Sequence, residues 1–81
     1  MDVNKKIVEL LPKLKDFPEK DLKDIKGFLD HDEWGVAFEV ICSVIDEDQL
    51  NIDDSIYSAL DEIGRAMNMD DSLWSDLKER I

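Results

Sequence analysis

Cysteine, histidine, proline and glycine are all scarce in this chain of 81 residues, and each scarcity closes off a class of protein. A lone cysteine, Cys42, cannot form an internal disulfide, which excludes a stapled secreted scaffold and fits a reduced, cytosolic protein. One histidine, His31, and one cysteine do not make a zinc site by themselves. With three glycines there is no Gly-rich phosphate loop, and so little Gly and Pro argues against low-complexity or disordered sequence. No apolar run reaches membrane length and no signal peptide is evident, so a cytoplasmic protein with no membrane contact is expected. Positive charge is scarce over most of the chain. Residues 27 to 77 hold fourteen acids against Arg65 alone, whereas residues 1 to 26 hold seven lysines against six acids, within a net charge of −11. Such a field repels nucleic acid and anionic lipid and attracts basic proteins.

Against that charged background, Trp34 to Ile45 contains a single ionisable acid, Glu39. At 100° per residue, Trp34, Ala37, Phe38, Val40, Ile41, Val44 and Ile45 cover more than half of a helix, and Gly35, Glu39, Ser43 and Asp46 form one polar stripe. Its β-branched residues would also suit a buried strand, but its length and charge-rich helical flanks favour a helix. Only the polar stripe is expected to see solvent. Trp34 and Phe38 are expected at the centre of the core.

The flanks follow the same period. Val3, Ile7, Leu10 and Leu14 share a stripe, with Asp2 as its cap, and Pro12 should end or kink that helix near Leu11. Pro18 suits the first turn of a second helix with Leu22, Ile25, Phe28 and Leu29 inward and Lys20, Lys23 and Lys26 outward. Gly27 weakens that helix by about 1 kcal/mol relative to Ala, which points to close packing there. Asp32 should cap the central helix. Asp53 caps a fourth helix, with Ile52 and Tyr57 placed as a hydrophobic staple and Ile56, Leu60, Ile63 and Met67 as its buried stripe. Asn68 suits the left-handed position after that helix, and Asp70 or Asp71 starts a short last helix with Leu73, Trp74, Leu77 and Ile81 on one side. The expected fold is all-α: residues 1 to 81 as one small bundle of four to five short helices around a central apolar helix at about residues 33–47.

Few residues in the chain are arranged for chemistry. His31-Asp32-Glu33 has half of a zinc deaminase motif without the cysteines that would complete it. The acids from Asp46 to Asp54 do not fit a calcium loop, since Asn51 stands where glycine is needed and Tyr57 where the bidentate glutamate belongs. Asp71-Ser72-Leu73 is similar to the attachment sequence of acyl carrier proteins, yet only nine residues follow Ser72 where that family has half a domain. No metal, cofactor or catalytic residue is assigned, and the chain is not expected to be an enzyme.

The segment from Phe28 to Glu39, then Ile52, then Ile63-Gly-Arg-Ala-Met67 and Trp74, resembles the MafI-type immunity proteins of bacterial polymorphic toxin and contact-dependent inhibition systems. The resemblance covers roughly residues 20 to 78, and Glu33-Trp34-Gly35 with Ala37-Phe38-Glu39 is its most specific part. It implies a helical protein that binds and neutralises the C-terminal domain of a toxin, often a nuclease, inside the producing cell. Gly35 would permit close helix approach. Independently, a small anionic non-enzymatic domain suits capture of a cationic protein, and nuclease domains are cationic because they bind phosphate backbones. The candidate toxin-binding residues are Glu33, Glu39, Asp46, Glu47, Asp48, Asp53, Asp54 and Tyr57. Asp46, Glu47 and Asp48 lead, because three acids at the negative end of a helix have no local stabilising role. With Asp53 and Asp54 they are expected to form one anionic corner. The alternatives are an acidic adaptor that binds another basic protein, and a carrier protein with Ser72 as its attachment site.

Overall fold

The computed structural model describes residues 1–81 and contains four α-helices, a 3₁₀ continuation of the first, a 3₁₀ tail and no strand. Helix α1 spans Val3–Leu10, α2 Glu19–Asp30, α3 Trp34–Glu47 and α4 Asp54–Ala66. Asp2 caps α1 by accepting from the Lys5 amide at 3.1 Å. Pro12 acts as its missing N–H requires: the α-helix stops at Leu10 and the chain tightens into a 3₁₀ turn over Leu11–Lys13. The connection that follows is not merely surface, since Leu14 and Phe17 are both buried. Pro18 stands one residue before α2, at its cap position.

Three helices end alike. After α2, Asp32 turns left-handed (φ 58°), its amide bonds to the Leu29 carbonyl, and the Glu33 amide reaches the Phe28 carbonyl at 2.9 Å. Gln49 (φ 51°) and Asn68 (φ 56°) do the same after α3 and α4, where Leu50 bonds to Ile45 and Met69 to Gly64. These are Schellman caps built without glycine. They confirm the role expected of Asn68 and correct that of Asp32. Asp32 closes α2, and Glu33 holds the N-cap position of α3 with no side-chain capping bond. One short link thus ends one helix and starts the next, which sets α2 against α3, the most extensive helix pairing in the fold.

The core is one cluster of nineteen apolar side chains drawn from every helix, the α1–α2 and α3–α4 connections and the tail. Phe38, Ile41 and Ile45 of α3 lie fully inside it with Ile7, Ile25, Leu60 and Ile63. Trp34 does not join them. It lies on the same side of α3 as Phe38, but in the first turn, where neighbouring elements leave it 39% exposed. Val36 is 42% exposed and Val40 half-buried, so the solvent-facing side of α3 is wider than its polar stripe.

The aromatic anchor is Trp74. It is 1% exposed and meets Phe38 edge to face, ring centroids 5.6 Å apart at 74°, an arrangement that adds about 0.5–1.5 kcal/mol beyond area burial. Its indole N–H donates to Asp61 Oδ1 at 3.0 Å, and the same oxygen accepts from Arg65 Nε at 2.9 Å. Gly64 makes room for the ring: a Cβ there would stand less than 3.0 Å from three ring carbons. Close packing therefore belongs to Gly64. A Cβ on Gly27 or Gly35 would meet nothing within 4 Å, contrary to the roles expected of them. The tail that carries Trp74 is two 3₁₀ segments, Asp71–Leu73 and Ser75–Arg80, in place of an α-helix. Trp74 and Leu77 are buried, whereas Leu73 and Ile81, expected on the same side, are exposed. The amide of Ile52 donates to the Arg80 carbonyl at 3.1 Å and ties the tail to the α3–α4 connection.

Candidate functional site

The candidate residues are best taken from the helix ends that hold them. Asp46 and Glu47 finish α3 and Asp48 is its C-cap, all three are exposed, and no basic residue lies in the last turn. Their negative charge adds to that of the helix terminus and is neutralised by no ion pair. The structure contains two ion pairs in all, Lys6–Glu62 at 3.7 Å and Arg65–Asp61 at 2.9 Å. Most carboxylates consequently project their field outward.

Tertiary packing adds to Asp46 two acids that lie far from it in sequence. Asp46, Gln49, Asp76, Glu79 and Arg80 surround a shallow depression between the end of α3 and the tail. A neighbouring hollow of about 190 Å³ is edged by Glu39, Asp46 and Asp76, with Cys42 and Leu77 at its buried side. Glu39 and Asp46 thus share a surface with Asp76. Sequence reasoning missed Asp76 and Glu79, because only the docking of Trp74 brings the tail alongside α3. The available signal was the alternation of apolar and acidic residues around Trp74 and Leu77.

Asp53 and Asp54 do not share that hollow. Asp53 lines a separate groove of about 430 Å³ with Lys13, Lys15 and Asp16. Its carboxylate caps α4, accepting from the Ser55 hydroxyl at 2.7 Å and the Ile56 amide at 2.8 Å. The Ser55 bond, then the Ile56 amide, hold its pKa below the ordinary value. Asp54 is exposed in the first turn of α4, where its charge favours the helix. Tyr57 is half-buried against the core, and the Lys78 ammonium lies 6.0 Å from its ring centroid. Glu33 is exposed at the opposite end of α3 from Asp46, about 20 Å away at the helical rise of 1.5 Å per residue. The eight candidates thus fall into three places: Glu33 at the start of α3, Glu39 with Asp46 to Asp48 on its later turns, and Asp53 to Tyr57 on α4.

Burial pushes the Cys42 thiol up to about 12, with Glu39 adding to the effect, so the sulfur stays protonated at neutral pH. His31 is the exposed C-cap of α2. No group of three or more His, Cys, Asp or Glu is placed to hold a metal ion. Ser72 is exposed within the three-residue 3₁₀ turn, where its amide donates to Asp70 at 2.9 Å. No helix is long and apolar enough to cross a membrane. In comparison with known proteins, no family model, no curated protein and no solved structure matches the chain.

Proposed function

We propose that this chain is an immunity-type protein, acting in the cytoplasm by binding and neutralising a cationic toxin domain, with a nuclease domain the best chemical fit. The observation that carries the reading is the unneutralised charge at the end of α3, where Asp46, followed by Glu47 and Asp48, shares a depression with Asp76 and Glu79 that Arg80 alone lines as a cation. Such an arrangement weakens the helix that bears it and has value when a basic surface arrives. Binding rather than catalysis is the role, because the carboxylates are exposed and the only thiol is buried and protonated. Exposed Glu39 belongs to the same surface.

An immunity role implies a toxin domain encoded beside this gene, and that domain is the reagent for the test. Association with the parent protein should approach about 10⁸–10⁹ M⁻¹s⁻¹ at low salt and fall steeply as salt is added. Replacing Asp46, Glu47 and Asp48 by Asn, Gln and Asn keeps their shapes and leaves folding unchanged or slightly stronger, while association slows and protection of toxin-expressing cells weakens. Equal rates and equal salt slopes for both proteins would remove this corner from the interface and move attention to Glu33, Asp53, Asp54 and Tyr57. A neighbourhood without any toxin gene would favour an adaptor for another basic protein.

A further inference from the structure

Five depressions mark the surface, and four have carboxylates in their lining. The fifth has none. It is a groove of about 450 Å³ between α1 with its 3₁₀ continuation and α2, floored by Val8, Leu11, Leu14 and Leu22 and edged by Lys15 and Lys26. Val8 is 48% exposed and Leu22 half-buried, although Ile7 and Ile25 beside them are fully buried. Helix α1 therefore carries apolar surface beyond the stripe that serves the core. Neither groove lysine is in an ion pair, and their aliphatic stems can lengthen the apolar walls while the ammonium groups stay at the edge.

We propose that this groove docks an acidic amphipathic segment of a partner protein, with its apolar side chains seated on Val8, Leu11 and Leu22 and its carboxylates reaching Lys15 and Lys26. Charge decides the occupant. A basic segment would set like charge against both lysines, and a second whole copy would bring a further −11 against the −11 already present. A short acidic segment avoids most of that repulsion, because salt at physiological strength screens charges over about 8 Å and the groove lining presents lysines alone. A helix laid between two helices, read through leucine-like anchors and acidic flanks, is the mode that suits such a groove. The inference is independent of the toxin-neutralising role, which rests on the carboxylates of α3 and the tail.

The probe is a short peptide of Leu, Glu and Ala with leucines at helical spacing, titrated into the isotope-labelled full chain. Amide shifts are expected at Val8, Leu11, Leu22 and Lys26. Affinity, read by anisotropy of the labelled peptide, should fall about tenfold or more in K15E/K26E. The pair K20E/K23E makes the same charge change on exposed positions of α2 outside the groove lining and should leave binding nearly unchanged. Val8→Ser, at an exposed position, should also weaken it. Equal losses in the two lysine pairs, shifts scattered over the surface, or equal shifts at Val8, Leu11, Leu22 and Lys26 with a Leu–Lys peptide would overturn the proposal. Shifts at these amides that follow protein concentration without peptide would overturn it too, by making a second copy the occupant.

Discussion

Trp34 and Trp74 exchange the roles that their surroundings in the sequence suggest. Trp34 opens the most apolar stretch of the chain and is 39% exposed, whereas Trp74 sits in an acid-rich tail and is 1% exposed. The difference teaches that burial is decided by what crosses a residue rather than by the hydrophobicity of its own segment. Trp34 points along the core side of α3 from a turn that its neighbours cover only in part. Trp74 is carried by the tail onto Phe38, Gly64 and Asp61.

The largest test of that contrast is Trp74→Ala, which should cost about 3–5 kcal/mol and leave much of so small a domain unfolded. Urea unfolding followed by circular dichroism measures it, and a loss below that of Trp34→Ala would reverse the comparison. Gly64→Ala probes the same contact from the other side. Helix propensity alone would favour alanine by about 1 kcal/mol. A net loss of about 1–3 kcal/mol is expected instead, because the ring must move.

Acid should loosen the tail and the α4 cap. The Trp74 indole, followed by Arg65, lowers the Asp61 pKa, the Ser72 amide lowers that of Asp70, and the Ser55 hydroxyl lowers that of Asp53, all from 3.8. A lowered folded value means stabilisation that is complete above the unfolded value and withdrawn as pH falls through the folded one. Melting temperature should accordingly drop as pH is taken below 3.8, and Asp61→Asn should show a shallower drop than the parent. A drop as steep in Asp61→Asn as in the parent would remove Asp61 from the account.

The smallest effect belongs to Trp34→Ala, expected within about 1 kcal/mol of the parent. In a Trp74→Phe background, the fluorescence of Trp34 should be quenched readily by acrylamide. Slow quenching would mean that the first turn of α3 is covered in solution.

Much of the fold was legible because its signals are local. The carboxylates of Asp2 and Asp53 cap by accepting from the amides of Lys5 and Ile56, three residues on, Asn68 takes the left-handed position, and Pro12 ends α1. Each depends on a few neighbours in sequence. The misplacements share the opposite cause. The expectations for Trp34, Gly27 and Gly35 rest on helical azimuth, which gives a side chain its direction but not whether another element arrives there. Gly64 and Trp74 meet only after the chain reverses through Asn68 and Asp70. The anionic surface was legible in part for the same reason: Asp46 to Asp48 stand out by their clash with the helix terminus, while Asp76 and Glu79 join Asp46 through tertiary docking. Val8 was passed over because it lies off the buried stripe of α1.

The bond from the Ile52 amide to the Arg80 carbonyl is the only one among the 59 backbone hydrogen bonds that joins residues distant in sequence. Its consequence is kinetic. Almost all backbone ordering can proceed within single turns and caps, so little loop-closure entropy is lost before contacts compensate for it, and folding on the order of microseconds to milliseconds follows. Trp74 docks on a surface that α3 and α4 build, which makes the tail the segment expected to close last. Under the proposed immunity role, so local a pattern of backbone bonding would shorten the interval in which a finished toxin meets an unfinished partner.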